Sequence, residues 1–133
     1  MSRQSNGRYV YHNENPKNLK SASDCVVRAI AKGIGLDWGT VYQGLSPLGL
    51  KMKDMPNSDR VYRKYLEQRG YAKEKQPKKP DNTKYTVDEF AANNPKGRYI
   101  ISVANHLTVV IDGKIYDTWN CSHKAVGNYW EVK

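Results

Sequence analysis

The sequence predicts an α+β fold, with N-terminal helices packed on a C-terminal antiparallel sheet. Three observations lead there. Between residues 23 and 93, cap-forming residues are followed by apolar residues that can share one helix face. From Arg98 onward the chain becomes β-branched and aromatic, punctuated by turn residues. A length of 133 residues fits one domain with a core of its own, residues 1–133. Mean hydropathy is low at −0.82, yet three Trp and ten Tyr separate the composition from that of a disordered chain.

The first 20 residues are polar and Asn-rich, which predicts an irregular arm with at most a short strand at "RYVYH". In "SASDCVVRAIAKGIG", Ser23 or Asp24 can cap a helix that begins at Cys25, buries Val26, Val27, Ala29, Ile30 and Ala31, and stops at Gly33. Asp37 can cap a second, short helix over "WGTVYQGL". Asn57 or Ser58 can cap a third that ends at Gly70, with Val61, Tyr62, Tyr65 and Leu66 on one side. Residues 46–56, "SPLGLKMKDMP", read as an irregular loop between the second and third helices. "KEKQPKKPDN" has two prolines and many charges and reads as an exposed connection. "TVDE" at 86–89 matches a capping box, so a fourth helix runs to about Asn93. "RYIISVA", "HLTVVI", "KIYDTWN" and "NYWEV" then supply the strands.

Charge and segment content narrow the function classes. No apolar run approaches the roughly 18 residues of a membrane span, and the N-terminus lacks a signal-like apolar stretch, so a cytoplasmic protein without membrane contact is expected. With no secretion signal, Cys25 and Cys121 are expected to be reduced thiols. A formal net charge of +9 makes an acidic partner plausible, but the positive residues are scattered apart from "KEKQPKK" and no nucleic-acid motif accompanies them. Nucleic acid is therefore a secondary expectation.

The chemistry is concentrated in "HLTVVIDGKIYDTWN". "DG" between two apolar runs is a strong hairpin signal, and a two-residue turn sets Ile111 opposite Lys114. Counting back, Val110 faces Ile115, Thr108 faces Asp117 and His106 faces Trp119, so His106 and Asp117 become diagonal neighbours on one face. Diagonal positions lie roughly 7–8 Å apart, within reach of an imidazole–carboxylate bond. A His and an Asp can satisfy each other in a sheet without doing chemistry. Cys25 adds what that pair lacks: at a helix start, free N–H groups and the positive end of the dipole favour a thiolate. Cys25, His106 and Asp117 then have the residue types of nucleophile, base and orienter.

In that order the three residues resemble the papain-like cysteine peptidase superfamily, whose members place Cys at a helix N-terminus and His and Asn or Asp on a following sheet. "DTW" at 117–119 is similar to their Asn-Ser-Trp segment, which implies that Trp119 shields the His–Asp bond. "DC" at 24–25 is similar to the bacteriocin-processing peptidases of the same superfamily. From Ser23 onward, "DCVVRAIAKGIGLDWGTVYQGL", "VYRKYLEQRGY" and the hairpin also resemble a group of small proteins encoded in bacteriophage genomes, which implies a phage or prophage origin and the bacterial host cytoplasm. The resemblance implies a papain-like fold and a protein or peptide substrate. One position departs from it: six residues before Cys25, where papain-like enzymes carry a Gln that donates to the oxyanion, stands Leu19. Asn18 is the candidate replacement, with Asn15 or the backbone N–H of Cys25 as alternatives.

Two weaker features complete the reading. Cys121 and His123 lie one residue apart but lack the paired C-x2-C spacing of zinc sites, so neither a metal nor a cofactor is expected. Leu48, Leu50 and Met52 are candidate substrate contacts if the stretch around them walls a groove. The function expected is a thiol-dependent hydrolase or acyltransferase acting on a peptide or isopeptide bond. The alternative is a basic, non-catalytic protein on the same fold that binds a host factor or nucleic acid.

Overall fold

The computed structural model describes residues 7–20 and 22–133; residues 1–6 of the expected arm lie outside the described residues. Four helices, α1 (Cys25–Ile34), α2 (Trp38–Met52), α3 (Asp59–Gln68) and α4 (Val87–Asn93), combine with five strands. These are β1 (Tyr9–Tyr11), β2 (Arg98–Val103), β3 (His106–Ile111), β4 (Lys114–Asp117) and β5 (Tyr129–Val132), in one sheet of order β1-β4-β3-β2-β5.

The fold is α+β, but its sheet is mixed. β2 pairs antiparallel with β3 and β5, and β3 antiparallel with β4, whereas β1 runs parallel to β4 with Tyr11 opposite Asp117. The arm is thus not wholly irregular: it covers the β4 edge, whose backbone groups would otherwise lack partners. The chain between β1 and β4, which includes all four helices, supplies the long connection that a parallel pair requires.

Side-chain alternation divides the apolar residues between the two sheet faces. Ile100, Leu107, Val109 and Trp130 pack with α1, α2 and α3, while Ile101, Val103, Val110 and Ile115 pack with Val87, Phe90 and Ala91 of α4. β3 is buried on both sides, as its near-continuous apolar run requires.

The turns and caps follow local chemistry with three differences. Asp112 and Gly113 both have positive φ, and Val110 stands opposite Ile115 as the DG turn dictates. Ser58 caps α3 and Asp37 caps α2. At α4 the capping box is complete: the Glu89 N–H donates to Thr86 Oγ1 at 3.1 Å and the Thr86 N–H to Glu89 Oε1 at 2.9 Å.

The first difference is α2, which does not stop near Leu45 but continues through Pro47 to Met52, so most of the expected loop is helix. Pro47 faces solvent, and burying Leu45 with Leu48 and Met52 partly against the core offsets its missing N–H. The second is the end of α1, which comes at Ile34 with Gly35 left-handed. Gly33 is needed for close approach instead: a Cβ there would lie 2.8 Å from Ile100 Cγ1. The third is the start of α1. Asp24 holds the N-cap position, but its side chain makes no capping bond.

Candidate active site

Cys25 is the first residue of α1 and His106 the first of β3, and α1 packs directly on β3. The two residues line one cavity. Asp117, the last residue of β4, reaches them from the neighbouring strand: His106 Nε2 and Asp117 Oδ2 are 2.6 Å apart. The hydrogen-bonded register of β3 with β4 covers only Ile111–Lys114 and Val110–Ile115, so the expected backbone pairing does not extend to residue 117. The side chains nevertheless converge. Asp117 engages Nε2 and leaves the other ring nitrogen free of it, in a ring that lines the same cavity as Cys25.

The electrostatics agree with that arrangement. Burial is the largest single influence on His106 and opposes its charge, but the bond to Asp117, contacts with Cys121 and Cys25, and the Asp117 charge together outweigh it and hold the imidazole proton well above its ordinary range. Burial likewise opposes a thiolate at Cys25. His106, the backbone of Leu107 and the Arg28 charge reverse the balance and lower its pKa. Asp117, 4% exposed, meets the same penalty and is kept below the usual carboxylate range by His106, then Thr108 and Arg28. An imidazolium between a thiolate and a carboxylate is the state these shifts favour together.

Asp117 is held by more than His106. Its Oδ1 accepts from the backbone N–H groups of Thr118 at 2.7 Å and Trp119 at 3.4 Å, and from Arg28 Nη1 at 3.4 Å. The Cys121 thiol donates to Oδ2 at 3.8 Å. Its carbonyl accepts from the Tyr9 hydroxyl at 3.1 Å and the His12 N–H at 2.9 Å. Arg28 also donates to Asp24 Oδ1 at 2.8 Å and to Thr118 Oγ1 at 3.0 Å. The second Asp24 oxygen accepts from Asn15 Nδ2 at 2.9 Å and Trp38 Nε1 at 3.0 Å. This explains the missing cap: Asp24 is committed to a buried network joining the start of α1 to the end of β4.

No family model, curated protein or solved structure matches this chain.

The remaining expected residues fare unequally. Trp119 packs edge-on against His106, with ring centroids 4.9 Å apart, and is 41% exposed, so it covers one side of the imidazole. Asn18 is exposed and left-handed, its side-chain oxygen accepting from Asn13 Nδ2 at 3.3 Å. Neither it nor Asn15, whose amide is bound to Asp24, lines the cavity beside Cys25. The backbone N–H of Cys25, without an intrahelical acceptor at the first helical position, remains a candidate oxyanion donor. Leu48, Leu50 and Met52 do not line that cavity either. Leu48 and Met52 pack against the core and Leu50 is exposed.

One group of metal-type donors stands among the described residues. His106, Asp117 and Cys121 each offer an atom within 4.8 Å of the others. Hydrogen bonds already join Asp117 to both partners, and the Arg28 guanidinium lies against the same carboxylate, where a cation would be repelled. His123 is turned away onto the Trp119 ring. Sequence reasoning missed Arg28 and Cys121. Arg28 had a local signal, four residues after Asp24 on one helix face. Cys121 had none.

Proposed function

We propose that this chain is a thiol-dependent hydrolase or acyltransferase of papain-like fold, acting on a peptide or isopeptide bond through Cys25, His106 and Asp117. A phage or prophage origin belongs to the same reading. The observation that carries it is the position of His106, bonded through Nε2 to a buried, multiply held Asp117 while its ring faces a Cys25 whose pKa is lowered.

In this reading the Cys25 thiolate attacks the carbonyl carbon of the substrate, and negative charge develops on the carbonyl oxygen near the Cys25 N–H. The His106 imidazolium gives its proton to the leaving amine as the C–N bond breaks, leaving a thioester on Cys25. Neutral His106 then takes a proton from water or from an acceptor amine as that group attacks the thioester, and the C–S bond breaks to release the Cys25 thiolate beside a restored imidazolium. Asp117 fixes the tautomer and stabilises the imidazolium throughout. No metal or redox step enters the sequence.

The test is covalent capture. An electrophilic acyl probe should label Cys25, competition by host or phage peptides read by mass spectrometry should identify the substrate, and Cys25→Ala should abolish labelling and turnover while leaving the fold intact. A folded protein whose Cys25 resists the probe would refute the reading.

A further inference from the structure

The cavity beside Cys25 and His106 has a volume of about 420 Å³, large enough for one long side chain. Buried Val26, Tyr62, Val103 and Leu107 form its apolar floor. Its rim is polar and exposed: Asn57 and Asp59 at the start of α3, and Asn105 in the turn between β2 and β3.

The charge at that rim is opposite to that of the chain. The protein carries a net +9, yet among the described residues Asp59 is the one carboxylate lining the cavity. Cys25 and His106, as thiolate and imidazolium, sum to zero. The cation beside Asp59 is Arg63, 3.7 Å away with both side chains solvent-exposed, which is beyond a good hydrogen bond and weakly neutralising. Tyr62 lines the cavity beside Asp59, whose two oxygens keep acceptor capacity free. The Asn57 and Asn105 side-chain amides also line the rim, and each offers a carbonyl acceptor beside its N–H donors.

An apolar floor ending at an acidic, acceptor-rich rim matches a side chain with an aliphatic stem and a cationic head. A purely apolar side chain would leave the rim without a counter-charge, and an acidic one would meet Asp59 at close range. We propose that this cavity takes a Lys or Arg side chain adjoining the bond attacked by Cys25, with Asp59 determining that specificity. The inference rests on the thiol-enzyme reading above.

The test uses three peptidyl acyloxymethyl ketones that differ only in carrying Lys, norleucine or Glu next to the electrophile, with iodoacetamide as a probe that needs no subsite. The second-order rate of Cys25 labelling is measured on the full chain. The Lys probe should exceed norleucine by about fivefold, the upper end for a solvent-accessible ion pair, and Glu should be slowest. Asp59→Asn should bring Lys and norleucine together, Asp59→Lys should place Glu above Lys, and Asn57→Asp should widen the Lys preference. Iodoacetamide rates should stay unchanged in all three. Equal rates for the three peptidyl probes, or a Lys preference surviving in Asp59→Asn, would overturn the subsite while iodoacetamide reactivity keeps the thiol enzyme standing. Failure of iodoacetamide itself to label Cys25 would overturn both.

Discussion

Asp117→Asn is the sharpest test of how the site works, because it keeps the side-chain shape and removes one charge. His106 and Asp117 are 2.6 Å apart with side chains 11% and 3% exposed. Their charge centres are then about 4 Å apart, and at an effective dielectric of about 20 their attraction is about 4 kcal/mol. That corresponds to about three pKa units on His106, and less where water at the cavity mouth screens the pair. In the native protein the imidazole stays protonated while Cys25 titrates, so the thiol loses its proton beside a cation. Without the carboxylate, His106 falls toward the range of the thiol, and the two compete for one proton. The Cys25 midpoint should rise back toward the ordinary thiol value of about 8.5. Each unit of rise removes about tenfold of the thiolate at a lower pH.

The assay is iodoacetamide labelling across the pH range, resolved by peptide so that Cys25 and Cys121 are read separately. Cys121 is fully buried and should stay unlabelled until the protein unfolds. Arg28 retains Asp24 as a partner, so Asp117→Asn should cost less stability than the roughly 3–5 kcal/mol expected for orphaning a buried charge. A variant that melts close to the native protein and shows an unchanged Cys25 pH profile would refute the coupling of Asp117 to the thiol through His106.

Two further predictions concern the scaffold. Gly33→Ala places a Cβ 2.8 Å from Ile100 Cγ1 and 3.2 Å from Val109 Cγ2, both on fully packed side chains, so overpacking of about 1–3 kcal/mol should outweigh the helix-propensity gain of about 1 kcal/mol; the urea midpoint should fall at unchanged slope, and an unchanged or higher midpoint would contradict the close approach of α1 to the sheet. In Asp24, burial is outweighed by bonds from Asn15, Arg28 and Trp38, and its pKa, like that of Asp117, is lowered; both carboxylates therefore contribute stability that is full above the ordinary carboxylate value of about 3.9 and lost as pH falls through their folded values, so the urea midpoint should drop on acidification in that window and drop less in Asp24→Asn.

What the sequence disclosed about this molecule tracks how local the cause is. The DG turn, the Ser58 cap and the Thr86–Glu89 box were legible because the decisive bonds lie within a few residues, and the period of two then brought His106 and Asp117 to one face. The course of α2 through Pro47 was not, because a local breaker was overruled by the burial of Leu48 and Met52 against distant residues. The short strand at "RYVYH" was legible as β1, but its parallel pairing with β4 was not, because the partner lies more than 100 residues along the chain. The same reasoning bears on Asp24. As a local residue it reads as a cap, yet in the fold its two oxygens accept from Asn15, Arg28 and Trp38, and Arg28 goes on to Asp117. A helix start gives up its capping bond there, and the backbone N–H groups beside Cys25 are left without that acceptor. An N-cap carboxylate would have satisfied those donors and placed a negative charge against the thiolate. Turned into the Arg28 network, it does neither, and the start of α1 keeps N–H donors that an anion could accept from.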